Sequence, residues 1–202
     1  MIALAALLLA GCLHPAADAD LVHQLDREVL ALRERNRILE EQAADCGRGG
    51  PPPPIYPELV QVFRDTEVTV AREGQRVAVT IPGGLLFSPG GTTVREEAGM
   101  VLDLLATALQ LHPDQHVWVV GHTDGEPLSG SLRRRYGTNW ELSAARAAAF
   151  MRALVEEHGI AEDRFTIAGL GATRPVADND TPEGRAQNRR IVVVIGPPEE
   201  WR

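Results

Sequence analysis

The run Gly-Arg-Gly-Gly-Pro-Pro-Pro-Pro at residues 47–54 constrains the fold of this 202-residue chain more than any other feature. Proline lacks the backbone N–H that a helix interior or a central strand needs, and consecutive prolines form a stiff extended spacer. Neither a helix nor a sheet can therefore continue through this segment. The sequence thus predicts an N-terminal part, a linker at 47–55, a folded domain at 56–196 and a tail at 197–202.

Residues 21–46 have a heptad pattern that predicts a coiled-coil helix. The two apolar positions of the heptad are Val22, Val29, Asn36 and Ala43 (a) and Leu25, Leu32, Leu39 and Cys46 (d). β-Branched residues at a, Leu at d and a single Asn at a favour a parallel dimer. The flanking charges would form attractive pairs between two parallel helices, Glu28–Arg33 and Arg35–Glu40. We predict a parallel homodimer through 21–46; the alternative is a single amphipathic helix that packs on another surface.

A short apolar run begins at Met1 and ends in Leu9-Ala10-Gly11-Cys12, which resembles the lipobox of bacterial lipoproteins. The resemblance implies a signal at 1–12, lipidation of Cys12 as the first mature residue, and a linker at 13–20. The run is well short of the roughly 20 apolar residues that span a bilayer. An ordinary secretory signal or a core helix is the alternative. Leu13 is compatible with sorting to the outer membrane, by resemblance to Gram-negative lipoproteins, with the domain facing the periplasm.

Within the domain, strand patterns and helix patterns alternate. Segments rich in Val, Thr and Ile predict strands at 67–71, 76–81, 116–121, 164–169 and 191–195. Helical spacing predicts one helix from Thr92 or Thr93 to 111, one at 140–158 that stops at Gly159, and a short one after Thr181. This pattern predicts an α+β fold with α/β-like order, β-α-β-α-β-(α)-β, in which helices cover a mixed sheet.

Three further details follow from local composition. The first two strands are expected to form a hairpin joined across Glu73-Gly74. Residues 125–138 are predicted to be a polar loop. The three consecutive arginines at 133–135 are either a run of solvated charges or a contact for anionic glycan or another envelope protein. The unbroken apolar run at 191–195 is typical of a central strand covered on both faces.

Charge and motif content exclude several function classes. The net charge of −8 disfavours binding to nucleic acid. The six His residues show no metal-ligand spacing such as His-Glu-x-x-His, and no Gly-x-Ser-x-Gly nucleophile motif is present. We therefore expect no catalytic residues, no metal site and no cofactor.

Two charged residues occupy positions that need an explanation. Arg146 lies on the apolar stripe of the 140–158 helix, where a guanidinium is costly unless it meets an anion. Spacing alone favours a structural pair with a nearby carboxylate over a ligand contact. Asp124 follows the C-terminal end of a strand, where ligands tend to bind in sheets with helical crossovers. It is equally suited to begin an Asp-Gly turn, so spacing leaves both alternatives open.

Four sequence blocks in fixed order resemble the OmpA-like peptidoglycan-binding domain. They are Gly121-His122-Thr123-Asp124, Asn139-Trp140-Glu141-Leu142-Ser143-Ala144-Ala145-Arg146-Ala147, Gly169-Leu170-Gly171-Ala172-Thr173-Arg174-Pro175, and Asn179-Asp180-Thr181-Pro182-Glu183-Gly184-Arg185-Ala186-Gln187-Asn188-Arg189-Arg190. Leu85-Leu86-Phe87-Ser88 resembles the end of the family's first strand. The insertion between Asp124 and Asn139 is similar to the flagellar stator branch of that family.

The resemblance implies a mixed sheet of about four strands with helices on one side. It also implies a ligand, the diaminopimelate of the peptidoglycan peptide stem. Asp124 would bind the ligand's ammonium and Arg146 its carboxylate through a bidentate fork. Asn139 would bond the ligand backbone, and Arg189 would flank the pocket. The remaining pocket residues implied by the resemblance are Phe87, Ser88, Thr123 and Leu142.

These expectations together describe a non-enzymatic lipoprotein that anchors the outer membrane to peptidoglycan. The alternative function is that of a stator-like or secretion-complex accessory subunit that uses the same domain for wall attachment.

Overall fold

A computed structural model of the protein describes Val29, Leu32, Arg35 and residues 51–198. The chain divides into two compact units, Met1–Gly47 and Arg48–Arg202. In the first unit Val29, Leu32 and Arg35 are helical and exposed. The predicted signal at 1–12 with Cys12, the linker at 13–20, the rest of the coiled coil with Cys46, and the last four residues of the tail lie outside the described residues.

The described part of the second unit is an α+β domain with a five-stranded sheet. Its strands are β1 (Thr69–Glu73), β2 (Arg76–Pro82), β3 (His116–His122), β4 (Phe165–Gly169) and β5 (Arg190–Gly196). Its α-helices are α1 (Ile55–Val62), α2 (Gly83–Leu86), α3 (Gly99–Leu111), α4 (Gly130–Tyr136), α5 (Asn139–His158) and α6 (Pro182–Asn188). Single 3-10 turns occupy Glu96–Ala98 and Glu162–Arg164. The strand order is β1-β2-β5-β3-β4, and only the β3–β4 pair is parallel.

The predicted fold class is confirmed, with five strands where the resemblance implied about four. The difference is the hairpin, which adds β1 as an edge strand beside β2. Glu73 pairs with Arg76, so the loop has the two residues Gly74 and Gln75. Gly74 has a φ of 64°, a conformation that glycine adopts without steric cost.

One face of the sheet carries the hydrophobic core. The odd-numbered apolar side chains of β2, β3 and β5 are at most 1% exposed and pack with the helices; they are Val77, Val79, Ile81, Val117, Val119, Ile191, Val193 and Ile195. In contrast, Val192 and Val194 of β5 are only partly buried and do not belong to this core. β5 is therefore the predicted central strand, but the prediction that it is covered on both faces is wrong. An unbroken apolar run is compatible with either arrangement.

Helix α5 begins one residue before the predicted range 140–158 and ends where the sequence predicts. The hydroxyl of Thr138 accepts a hydrogen bond from the N–H of Trp140 at 3.2 Å, and the carboxylate of Glu141 accepts one from the N–H of Thr138 at 3.0 Å. This reciprocal capping box satisfies donors that the first helical turn leaves unpaired. Gly159 ends the helix with a φ of 68°.

Small residues let α5 lie directly on β3 and β4. A Cβ atom added to Gly121 would lie 2.1 Å from the carbonyl oxygen of Ser143, and one added to Gly169 would lie 2.4 Å from the nitrogen of Ala144. Any larger residue at these positions would separate the helix from the sheet. This close approach fixes Arg146, less than one turn further along α5, relative to the strand ends.

Three further local predictions are wrong. Leu85 and Leu86, expected at the end of a strand, belong to α2. The helix expected to start at Thr92 or Thr93 starts instead at Gly99, after the 3-10 turn, because Val94 forms a β-bridge with Phe87. The segment 125–138, expected to be a loop, contains α4. None of the helices that the structure describes combines the length and apolarity required to cross a bilayer.

Candidate functional site

Asp124 is the second residue after the end of β3, and both of its carboxylate oxygens accept hydrogen bonds. Oδ1 accepts a hydrogen bond from the N–H of Glu126 at 3.3 Å, which is the turn contact that the sequence allowed. Oδ2 accepts a hydrogen bond from Nη1 of Arg189 at 2.6 Å. The side chain of Asp124 is 14% exposed, so the carboxylate of this ion pair is largely shielded from water. Asp124 is therefore a turn residue and a charged acceptor at once.

Arg189 is placed by the short helix α6, which precedes it. The helix begins with Thr181, whose hydroxyl accepts a hydrogen bond from the N–H of Gly184 at 3.1 Å, and with Pro182 in its first turn. The carbonyl oxygen of Arg189 accepts a hydrogen bond from the N–H of Gly83 at 2.7 Å. The backbone of Arg189 is thus fixed against α2, while its guanidinium is 42% exposed beside Asp124.

Arg146 projects from α5 and is 8% exposed. Its Nε–H donates to the carbonyl oxygen of Gly91 at 3.0 Å, and its guanidinium carbon lies 5.4 Å from the ring centroid of Phe87. No salt bridge joins Arg146 to a carboxylate of the described residues, so the structural pair that spacing favoured does not occur there. Burial lowers the pKa of Arg146; Asp124 opposes this shift and Arg189 adds to it.

A surface cavity of about 470 Å³ joins these groups. Among the predicted site residues, Phe87, Ser88, Arg146 and Arg189 line it. Asp124 is not a lining residue, but it reaches the cavity through Arg189. The lining also contains Arg95 and no carboxylate, so the cavity is suited to a ligand that presents an anionic group.

Asn139 contacts the same loop but from another side. Its amide nitrogen donates to the carbonyl oxygen of Glu126 at 2.9 Å and to that of Asp124 at 3.4 Å. In this arrangement Asn139 orients the turn that carries Asp124. It lines a separate cavity beside Trp140, so its expected contact with the ligand backbone remains a prediction.

The last two predicted residues are buried beside the strand end. Thr123 is 4% exposed, and its hydroxyl oxygen has no hydrogen-bond partner among the described residues. Leu142 is also 4% exposed. Neither lines the cavity, so their expected contacts with a ligand remain predictions.

Sequence reasoning missed Arg95 and the contribution of α4 to this region. Arg95 comes into the cavity because the β-bridge between Phe87 and Val94 folds the chain back, and no local pattern indicates that pairing. Helix α4 supports the loop at 88–92: the hydroxyl groups of Tyr136 and Thr92 are 2.8 Å apart. The spacing of Leu132 and Tyr136 by one helical turn was the available signal for this helix.

His122 lies next to the site residues in sequence but on the opposite side of the sheet from the core. It is 6% exposed, and its Nδ1 has no hydrogen-bond partner among the described residues. Burial, and secondarily the charge of Arg190, lower the pKa of His122 to about 4. His122 is therefore neutral at neutral pH and adds no charge to the ligand cavity. Residues 51–198 with Val29, Leu32 and Arg35 contain no group of three or more His, Cys, Asp or Glu arranged to hold a metal ion.

The fold and the site together define a class: an α+β domain with an arginine-rich cavity beside the start of β5. The profile of the OmpA family matches residues 86–189, which is more than half of the chain and includes all three of Asp124, Arg146 and Arg189. The chain belongs to the OmpA family, and the resemblance found in its sequence blocks is confirmed.

Similar proteins come from several bacteria. The chain is 34% identical over 131 residues to Motility protein B of Bacillus subtilis, covering 65% of this chain and 48% of that protein. It is 32% identical over 140 residues to the Probable lipoprotein YiaD of Escherichia coli, covering 69% and 60%. The solved cell wall anchor of the T6SS from Pseudomonas aeruginosa is 36% identical with a TM-score of 0.64, covering 72% of this chain and 99% of that one. The chain thus spans about half of the curated relatives it matches.

Proposed function

We propose that this protein binds peptidoglycan without catalysing a reaction, through the diaminopimelate of the peptide stem. The free end of diaminopimelate carries an ammonium and a carboxylate on one carbon. Arg146 offers a planar guanidinium that holds no carboxylate among the described residues, and it binds the ligand carboxylate. Asp124 binds the ligand ammonium.

The observation that carries this proposal is the ion pair between Asp124 and Arg189. In the free protein Nη1 of Arg189 stands 2.6 Å from Oδ2, the position that a ligand ammonium would occupy. On binding, the ligand ammonium therefore replaces the guanidinium of Arg189 as the partner of Asp124. The carboxylate of Asp124 is thus paired with a cation in both the free and the bound protein. This exchange releases Arg189, which lines the cavity, to contact the ligand's anionic groups.

We further propose that the protein anchors the outer membrane to the wall from the periplasmic side. Lipid on Cys12 would hold the chain in the membrane, and the 47–55 linker would separate the wall-binding domain from a dimeric coiled coil at 21–46. The lipobox resemblance and the similarity to a lipoprotein support the anchor. The exposure of Val29 and Leu32, at 43% and 55%, supports a partner helix at the a and d positions.

Co-sedimentation of the full-length protein with purified diaminopimelate-type peptidoglycan tests the wall-binding proposal. Asp124→Ala should abolish sedimentation. Asp178→Ala is the matched control, because Asp178 accepts a hydrogen bond from the N–H of Asp180 at 2.9 Å in the same kind of turn but, unlike Asp124, forms no ion pair with an arginine that lines the cavity. Equal sedimentation of wild type and Asp124→Ala would contradict the proposal.

A second candidate is an accessory subunit of a secretion or motor complex that uses the same domain for attachment. It is favoured by the match to 99% of the T6SS cell wall anchor and by the similarity to Motility protein B. Chemical cross-linking in cells followed by mass spectrometry distinguishes the two functions. Recovery of stoichiometric subunits of such a complex supports the second candidate, and recovery of wall and lipid alone supports the first.

A further inference from the structure

The charges around the cavity do not balance for a ligand that presents one zwitterion. Three guanidinium groups line the cavity, those of Arg95, Arg146 and Arg189. Two carboxylates pair with them, Asp124 with Arg189 and Glu97 with Arg95. Three positive charges and two negative charges leave a net charge of +1. The free end of diaminopimelate has no net charge, so it leaves this excess in place.

Arg95 is held in one orientation. Its Nε–H donates to Oε2 of Glu97 at 3.3 Å, its Nη2 lies 3.2 Å from Oε1 of the same carboxylate, and its Nη1 donates to the carbonyl oxygen of Gly84 at 3.2 Å. A guanidinium has five N–H donors, so these contacts leave one N–H on each terminal nitrogen unused. The side chain of Arg95 is 36% exposed, and that of Glu97 is 70% exposed. Glu97 does not line the cavity, so it holds Arg95 from outside.

We propose that Arg95 is a specificity residue that binds a second carboxylate of the same ligand. This inference rests on the proposed binding of diaminopimelate and deepens it. A stem with one ammonium and two carboxylates at the site has a net charge of −1 and balances the cavity. Arg146 takes the carboxylate of the zwitterion, and Arg95 takes the carboxylate that lies further along the stem.

Two carboxylates of a peptide stem flank diaminopimelate and are the candidates for binding to Arg95. One is the free α-carboxylate of the γ-linked glutamate before diaminopimelate, and the other is the C-terminal carboxylate after it. Each lies about one residue, or roughly 3.5 Å of extended chain, from the stem α-carbon of diaminopimelate, and the diaminopimelate side chain adds to its separation from the zwitterion. Amidation removes the charge from either without changing the shape of the stem much, so it separates the two sources.

The experiment measures affinity of the full-length protein for three synthetic stems by titration calorimetry. One stem has both carboxylates free, one has the glutamate carboxylate amidated, and one has the C-terminal carboxylate amidated. Wild type should bind one of the amidated stems about fivefold more weakly than the free stem, equal to about 1 kcal/mol. The stem that loses affinity identifies the carboxylate that Arg95 binds.

Arg95→Gln should bind all three stems with the same affinity. That affinity should equal the affinity of wild type for the amidated stem that it binds more weakly. Glu97→Gln should sharpen the discrimination, because it removes the carboxylate that competes for Arg95. Arg133→Gln is the matched control, because it removes one exposed charge on the neighbouring α4 without changing the cavity lining. Its discrimination should equal that of wild type.

The outcomes separate this inference from the proposed function. If wild type binds all three stems equally and Arg95→Gln has no effect, the role of Arg95 is refuted while diaminopimelate binding stands. If Arg133→Gln reduces discrimination as much as Arg95→Gln, the effect is a general field of positive charge and the specific contact is refuted. If wild type binds none of the stems, the proposed function itself fails.

Discussion

Replacement of Arg146 by Lys distinguishes a residue that binds the ligand from a residue that only stabilises the fold. Lysine keeps the positive charge but loses the planar fork and the Nε–H that donates to Gly91. One hydrogen bond to a neutral acceptor is worth about 1 kcal/mol of folding free energy. For a unit of this size, that lowers the melting temperature by roughly 2–4 °C. Loss of the bidentate contact to the ligand carboxylate should weaken binding at least about tenfold, or 1.4 kcal/mol.

Arg164→Lys is the matched control for this change. Arg164 is also a partly buried arginine whose pKa is lowered mainly by burial. Its guanidinium donates to three backbone carbonyl oxygens, those of Gln115, Leu109 and His112, at 2.8 to 3.0 Å. It does not line the ligand cavity. Arg164→Lys should therefore cost more stability than Arg146→Lys, about 2–4 kcal/mol, and leave binding unchanged.

Thermal unfolding by circular dichroism and binding of a diaminopimelate stem by calorimetry measure the two effects on the same samples. The expected result is a crossed pattern, in which Arg146→Lys loses affinity and Arg164→Lys loses stability. If Arg146→Lys lowers the melting temperature as much as Arg164→Lys and binds the stem as wild type does, Arg146 only stabilises the fold. Its proposed contact with the ligand carboxylate is then wrong.

Three other predictions address the anchor, the dimer and the pH dependence. Cys12→Ala should move the protein from the membrane fraction to the soluble periplasmic fraction, and mass spectrometry of the wild type should show acylated Cys12; an unmodified mature N-terminus at another residue would refute lipidation. Non-reducing gels should show a disulfide-linked dimer that Cys46→Ser abolishes, because two Cys46 residues meet at a d position in a parallel coiled coil; a monomer in sedimentation at high concentration would count against it. His122 has a pKa of about 4 in the folded protein, whereas the pKa of an exposed histidine is 6.5. Between pH 4 and pH 6.5 the His122 side chain is therefore protonated in the unfolded chain and neutral in the folded protein. Stability should therefore fall by up to about 3 kcal/mol as pH drops from 6.5 to 4, and chemical denaturation of His122→Gln should show a smaller fall; an unchanged slope would show that His122 is not the titrating group.

The arrangement of strands and helices was predictable because each element carries its own local signal. Helix α5 is the clearest case, with helical spacing of its apolar residues and a terminal glycine at Gly159. The coverage of β5 was not predictable, since Val192 and Val194 are as apolar as Val193 but face away from the core. Whether a helix lies over a strand face depends on tertiary packing that an apolar run does not encode.

Several residues that line or adjoin the cavity were named from the sequence, but the way in which their side chains pair was not predictable. Asp124, Arg146 and Arg189 were identified through the family resemblance. The spacing of residues alone predicted that Arg146 would pair with a carboxylate of the protein. In the structure the carboxylate of Asp124 pairs with Arg189, which is 65 residues away in sequence. That pairing, like the entry of Arg95 into the cavity, depends on how β3, β5 and the β-bridge between Phe87 and Val94 come together. Sequence separation of this size leaves no periodic signal to detect.

The most direct test of diaminopimelate recognition compares two stem peptides that differ only at the third residue. One carries diaminopimelate and the other carries lysine, which keeps the side-chain ammonium but lacks the second carboxylate. The lysine stem would leave the mostly buried Arg146 without an anion, and an unpaired buried charge is costly. Titration calorimetry should therefore show at least about tenfold weaker binding of the lysine stem to the wild-type protein. Equal affinity for the two stems would contradict the account, even if the protein still bound the wall.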